Sequence, residues 1–245
     1  MDKKYGVAIS LSGLLLITQL SVAGTTRDEI IQKLNELPKR DGQIVQHLAA
    51  GVLPIAIEDG RAFFLMGKLR KTDPKKIQWN DTYSTFSGGR AKNEIGKEVE
   101  FTQSEIDHEF SNPIATAVRE TYQETNGLFA SREEIENWIL SENTVRVTNN
   151  SWNPVDRPAV PVPTYIFFVQ KTSIDLIYKD DGKKEIKQID WVPAELVFQA
   201  LDGKIAKDLK NLSLSNGMVL AEYCARTLLV NEETIKTMIE KAIRN

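Results

Sequence analysis

The sequence has one cysteine, Cys224, and two histidines, His47 and His108, in 245 residues. A single thiol excludes an intramolecular disulfide and a cysteine-ligated zinc site. Two imidazoles cannot build a histidine-rich metal centre. Any metal chemistry must therefore run on carboxylates, which favour hard cations such as magnesium, manganese or calcium. No block of Lys or Arg stands out and the formal net charge is −3, so generic attraction to a nucleic-acid backbone is not expected. Internal repeats and low-complexity tracts are also missing. What is present is 41% hydrophobic and 27% charged, which excludes a disordered, collagen-like or coiled-coil chain. The length allows one large domain, or a medium one with additions.

Residues 1–24 stand apart. Lys3 and Lys4 precede an apolar run from Tyr5 to Leu20, densest at Leu14, Leu15, Leu16 and Ile17. Ser21 and Ala23 follow as small residues at the spacing of a signal-peptidase site. This layout predicts a removable signal over 1–23 and a secreted or periplasmic protein. The alternatives are a retained anchor or a buried element of a cytoplasmic protein. Ser10, Ser12, Thr18 and Gln19 dilute the run, and no membrane span is expected in the mature chain.

Periodicity predicts a helix over 25–37, with Ile30, Ile31, Leu34 and Leu37 on one face. Strands are expected over 52–57 and 62–69, joined by the hairpin signal Glu58-Asp59-Gly60. A polar loop covers 71–81, a short strand 82–86 runs into Ser87-Gly88-Gly89, and 90–112 is charged and unpatterned. The clearest helix is 113–125: Asn112 suits the N-cap, Pro113 the first helical position, and Ile114, Ala117, Val118 and Thr121 the inward stripe. A short helix over 133–140, strands over 144–148, 165–170 and 185–191, and a proline-rich loop over 149–163 follow. The stretch 192–245 reads as mainly helical, broken near Gly203 and Asn216-Gly217. Strands and helices mix without regular βαβ alternation, which predicts an α+β fold or a sandwich of mixed sheet and helices.

Glu120 and Glu124 lie four apart on the 113–125 helix, so both carboxylates point the same way. Like charges that close repel, and a divalent cation between them relieves the repulsion. The same spacing also suits a plain solvated helix face. Arg119 is always charged and can hold a neighbouring carboxylate in place. Gly88 and Gly89 allow a tight backbone turn beside the pair.

The order of strand, Gly88-Gly89, loop, and then a helix carrying Ala117-Val118-Arg119-Glu120 and Gln123-Glu124-Thr125 resembles the Nudix hydrolase family. Its box reads Gly-x5-Glu-x7-Arg-Glu-U-x-Glu-Glu-x-Gly-U, with U aliphatic. Ala49 to Pro54, the hairpin, Trp79 and Phe86-Ser87-Gly88-Gly89 resemble the strands entering that box. Tyr165 to Val169 and Ile189 to Pro193 resemble the strands after it. The likeness spans roughly 48–201. The sequence departs from the pattern at several points. Gly88 and Arg119 are 31 positions apart, so about 17 residues are inserted relative to the box; Gly88-x5 lands on Glu94, ahead of the insertion. Gln123 replaces the first Glu of the Glu-Glu pair, and Thr121 an aliphatic residue. Asn126 takes the glycine position, with Gly127 one later; Asn tolerates the left-handed backbone that stops a helix.

The resemblance implies an α/β/α sandwich with a mixed sheet over 48–202, an insertion at about 90–112, an N-terminal helical extension 24–47 and a C-terminal one 203–245. It implies a metal-dependent pyrophosphohydrolase using Mg²⁺ or Mn²⁺ on a nucleoside diphosphate linked to another moiety. Carried over, Glu120 and Glu124 are metal ligands, Gln123 a neutral one through its amide oxygen, and Gly88 another through its backbone. Arg119, Glu120 and Glu124 are the catalytic set. A general base is sought among Glu105, Asp107, His108 and Glu109 of the insertion, which also holds Glu94, Glu98 and Glu100 and otherwise reads as a solvated loop. Trp79, Phe86 and Gly89 border the expected cleft as substrate contacts, with Tyr83 and Trp152 nearby. His47, in an apolar stretch, reads as a strand-edge or core histidine, and Cys224 as buried and inert. The expected partner is a small nucleotide rather than a stable nucleic-acid complex. The alternative is a degenerate Nudix-fold protein that senses a nucleotide or RNA without cleaving it, as Gln123 and the split box suggest. A protein whose charged insertion is an interaction surface is a further rival.

Overall fold

The computed structural model describes residues 29, 31–32, 34, 36, 39–40, 43–44, 47–70, 77–93, 101–149, 161–178, 180 and 185–244. The expected signal, Glu94, Glu98, Glu100 and Trp152 lie outside them. Of the expected 25–37 helix, Glu29, Ile31, Gln32 and Leu34 have helical backbone.

A two-residue pairing of β1 (Lys39–Arg40) with β2 (Gln43–Ile44) precedes the main hairpin. β3 (Ala49–Glu58) and β4 (Arg61–Leu69) then meet through Asp59-Gly60. Both turn residues have left-handed φ, 51° and 71°, the geometry that lets a two-residue turn follow the strand twist. The hairpin splits halfway along. β3 pairs with β4 only over Ile55 to Glu58, and its Ala49 to Val52 pair instead with β6 (Phe86–Gly89). The freed end of β4 takes β5 (Tyr83–Ser84). The stretch after the 77–79 turn is thus wedged into the fork, which carries Gly88 opposite Ala50.

β8 (Val162–Phe168) lies parallel to β3 on its other edge, and β7 (Val145–Asn149) closes that side. After the short α4 (Ile174–Ile177), β9 (Ile186–Pro193) runs antiparallel along β4. The sheet is mixed, so the expected α+β class is observed. Register assigns its faces. Ile55, Phe64 and Phe168 are paired and share a face, where Phe64 meets Phe198 of α5 (Ala194–Leu201), centroids 5.8 Å apart. Successive strand residues alternate, so Phe167 points the other way, onto Trp138 of α3 (Arg132–Ile139) at 5.8 Å. Beside α3, on β3 and β6, packs α2 (Pro113–Glu124). Helices therefore cover both faces, and the core lies between them and the sheet.

Two expectations are corrected here. The insertion is not all loop: α1 (Gln103–Phe110) starts at a capping box in which Thr102 and Glu105 bond each other's backbone N–H. That Thr-x-x-Glu signal is in the sequence, but the helix is too polar to show a periodic stripe. The C-terminal stretch is not only helical either. β10 (Leu212–Ser213) and β11 (Val219–Leu220) form a short hairpin that extends the main sheet through β5, ahead of α6 (Glu222–Val230) and α7 (Glu232–Arg244). Short strands of this kind lack enough residues for an alternation pattern. Among the described residues, no helix is long and apolar enough to cross a membrane.

Candidate active site

α2 forms as expected. Asn112 accepts the N–H of Ala115 at 3.1 Å and Pro113 opens the first turn. Beyond the C-cap, Asn126 and Gly127 take left-handed φ of 55° and 66°, and Gly127 N–H returns to the Tyr122 carbonyl at 2.8 Å. Asn126 thus serves the helix stop where the box has glycine. The helix buries a second, polar stripe besides the apolar one. Thr116, Arg119 and Glu124 are 0, 6 and 8% exposed, and Glu120 lies on the same side.

Arg119 organises the site, and all five of its N–H donors are used. Nε and Nη2 bond the two carboxylate oxygens of Glu109 side-on, at 2.6 and 3.1 Å. Nη1 reaches Glu120 Oε1 at 2.7 Å and Gln123 Oε1 at 3.0 Å, and Nη2 the Gly89 carbonyl at 2.7 Å. The guanidinium also stacks over the Phe101 ring, 4.9 Å from its centre. Burial lowers the Arg119 pKa, but the bonds and charges of Glu109 and Glu120 outweigh it, and the net shift is upward.

Glu109 comes from the last turn of α1 and is 4% exposed. Besides Arg119 it accepts the Ala91 N–H at 2.8 Å and the Thr116 hydroxyl at 2.9 Å. Burial pushes its pKa up, but the Arg119 hydrogen bond, the Ala91 N–H and the Arg119 charge together hold it below the usual carboxylate range. A carboxylate committed in this way anchors Arg119. The other candidates of the insertion are placed elsewhere: Glu105 caps α1, Asp107 accepts from Gln103, and His108 is exposed.

The two glycines do not make a turn. They sit in β6, and neither has a left-handed φ. What Gly88 supplies is a missing side chain: a Cβ there would lie 2.1 Å from Glu120 Oε2 and 2.2 Å from its carboxyl carbon. The Glu120 carboxylate occupies that space, pressed on the strand backbone and tethered by Arg119. Its burial raises the Glu120 pKa, against the Arg119 charge, with Glu109 and Glu185 adding to the rise. Glu185, just before β9, brings a further carboxylate to this end of the sheet; no sequence pattern marked it.

Other expected site residues are placed differently. Gln123 turns its amide oxygen to Arg119 rather than outward. Phe86 is fully buried in the core under α2, so it is not a substrate contact; its β-strand alternation puts it on the same face as Gly88, one pair deeper. Trp79 meets Tyr223 of α6 edge-on at 5.9 Å. Tyr223 also accepts the Ser84 hydroxyl at 2.6 Å and feels the Glu124 charge, so the C-terminal helices close one flank of the site. Cys224 is buried with its pKa pushed up to about 12, an inert thiol. A cleft of about 850 Å³ lies at the other end of the sheet, between α7 and Ile57, Val145 and Phe168. It holds none of these groups.

His47 is a core histidine, as expected, but its Nε2 bonds Thr116 Oγ1 at 2.9 Å. Burial, then the Arg90 charge, lowers its pKa from 6.5 to about 4; Glu109 pulls upward and Arg146 adds to the lowering. The unfolded chain therefore binds this proton near pH 6.5 and the folded chain only near 4. Stability from the neutral ring is complete above pH 6.5 and lost as pH falls toward 4, by about 3 kcal/mol. Urea midpoints measured between pH 7.5 and 4.5 should fall accordingly, and His47→Gln should flatten the slope.

No family model matches the chain, and no curated protein matches it by sequence. The solved structures it resembles include several Nudix proteins. The Nudix domain of Shewanella oneidensis NrtR, complexed with ADP ribose, is 12% identical over 82% of this chain and 94% of its own, with a TM-score of 0.40. A MutT/nudix family protein from Enterococcus faecalis is 16% identical over 64% of this chain and 46% of its own, at 0.35. A C. elegans Ap4A hydrolase is 15% identical over 60% of this chain and 80% of its own, at 0.32. These likenesses are distant, and the functional reading rests on the chain's own residues.

Proposed function

We propose that this chain is a Nudix-type hydrolase of phosphoric anhydride bonds, cleaving a nucleoside diphosphate linked to another moiety with Mg²⁺ or Mn²⁺. One observation carries the reading: Glu120 fills the space above Gly88, tethered by Arg119, one helical turn from the buried Glu124. Burial, with the Glu109 and Glu185 charges, disfavours the charged form of Glu120, and a bound cation would offset that cost. The donor set fits a magnesium-sized ion, which takes one or two carboxylates and completes its shell with water and substrate phosphate. Glu120 and Glu124 would hold it, with the Gly88 backbone alongside. When bound, a divalent cation neutralises phosphate oxygens and makes water a better nucleophile at phosphorus. The protein's own part is positional. Arg119 fixes the Glu120 carboxylate, Glu109 fixes Arg119, and the packed Gly88 strand keeps water from one side of the carboxylate.

The test is a panel of ADP-ribose, NADH, dinucleoside polyphosphates and nucleoside triphosphates with each metal, read by mass detection of the products. Glu124→Gln should lower turnover by more than the roughly 10–100-fold typical of a residue one step away from a metal, without lowering the melting temperature of the metal-free protein. A variant that turns over at the wild-type rate removes Glu124 from the site.

A second reading is a nucleotide sensor that no longer cleaves. The orientation of Gln123 favours it: its oxygen is spent on Arg119. Among the described residues, no three His, Cys, Asp or Glu side chains are grouped as a metal site. A rise in melting temperature with a nucleotide of the panel, and no product from any, would favour the sensor.

A further inference from the structure

We propose that His47 and Thr116 are positioning residues for the Arg119–Glu120 pair, acting through Glu109; the inference rests on the metal-site reading above. The geometry is a continuous buried chain. His47 Nε2 meets Thr116 Oγ1 at 2.9 Å, Thr116 Oγ1 meets Glu109 Oε2 at 2.9 Å, and Glu109 grips Arg119 side-on at 2.6 and 3.1 Å. Arg119 then holds Glu120 at 2.7 Å. His47 and Thr116 are 1 and 0% exposed.

The direction of each bond follows from donor counts. An ionised Glu109 can only accept, so the single Thr116 hydrogen goes to Glu109. The Thr116 oxygen must then accept from His47, which places the ring proton on Nε2. That leaves Nδ1 bare, and among the described residues this buried nitrogen has no hydrogen-bond partner. A ring serving only to fill the core would be better replaced by an apolar side chain, because a buried nitrogen without a partner is a net penalty. The imidazole is explained by the one donor it does use. Its N–H selects the Thr116 rotamer, which aims the hydroxyl at Glu109 Oε2. Glu109 Oε2 already accepts from Ala91 N–H and Arg119 Nη2, and the third bond fixes the carboxylate plane. A planar fork transmits that orientation better than a point charge, so Arg119 delivers Glu120 to the space above Gly88 in one pose. His47 directly precedes β3, so the segment entering the sheet contributes to the site without touching it.

The experiment has two readouts. One is the Arg119 Nε–H signal in a ¹⁵N–¹H spectrum of the metal-free protein. The other is the Mn²⁺ dissociation constant from calorimetry. Thr116→Val should speed solvent exchange of the Arg119 signal and weaken Mn²⁺ binding by about 10-fold, while Thr116→Ser, which keeps the hydroxyl, stays near wild type. His47→Phe should move both readouts in the same direction. Adding His47→Phe to Thr116→Val should change little more, because both act through one chain. Should Thr116→Val fail to fold, His47→Phe and Thr116→Ser carry the same comparison. A folded Thr116→Val with a wild-type Arg119 signal overturns the proposal. Wild-type protein that binds no Mn²⁺ overturns the metal reading instead, and the Arg119 signal still decides the positioning role.

Discussion

Glu109→Ala is expected to destabilise the protein by about 3–5 kcal/mol, because it strips a buried guanidinium of its side-on carboxylate and leaves only the single bond to Glu120 to balance it. Arg119 is 6% exposed and loses two of its five hydrogen bonds, while Ala91 N–H and the Thr116 hydroxyl lose their acceptor. For a chain of this size that corresponds to a drop in melting temperature of roughly 6–20 °C. Thermal and urea denaturation measure it directly. The double variant Glu109→Leu with Arg119→Met should be less harmful than Glu109→Ala, since no buried guanidinium is left short of a partner and the Glu120 carboxylate that loses Arg119 is the more exposed group. A melting temperature for Glu109→Ala within about 2 °C of wild type would falsify the anchoring role.

Gly88→Ala is expected to do the opposite: to cut the proposed metal-dependent hydrolysis on the order of 100-fold and leave the fold nearly untouched. The backbone at Gly88 is ordinary strand, without the left-handed φ that would penalise alanine. The three atoms nearest the new methyl all belong to the Glu120 carboxyl group, at 2.1 to 2.6 Å. That group is the far end of a flexible side chain, so it moves aside at little cost to stability. It then leaves the position Arg119 holds it in, and a ligand displaced by about 1 Å can cost on the order of 100-fold in rate. Turnover on the substrate found in the panel, set beside the melting temperature, separates the two effects. A Gly88→Ala protein with wild-type turnover would show that Glu120 does not act from this pose.

Local patterns made the framework legible. The Asp59-Gly60 turn, the Asn112-Pro113 start and the Asn126-Gly127 stop each follow from what those residues permit at φ or at an unpaired N–H. Alternation and length marked β3, β4, β7, β8 and β9 to within a few residues. The pairing of Arg119 with its neighbour Glu120 was also readable, because adjacent positions need no fold to meet.

Glu109 was visible only as one of several charges in the 90–112 stretch. Its role depends on α1 bringing it 10 positions back onto Arg119, and no pattern in that polar segment fixes the angle between α1 and α2. Phe86 and Gly88 illustrate the same limit within one strand. The sequence marks both as residues near a site, but only the fork between β3 and β4 decides that Phe86 fills the core while the bare Cα of Gly88 receives the Glu120 carboxylate. His47 could be recognised as buried, yet its partner Thr116 lies 69 positions away. Sequence alone determined the local elements and the charges that α2 carries, because propensity, caps and helical spacing act over a few residues. The tertiary structure alone decided which carboxylate anchors Arg119, which one is held beside it, and which glycine makes the room, because these depend on contacts between distant segments that share no periodicity.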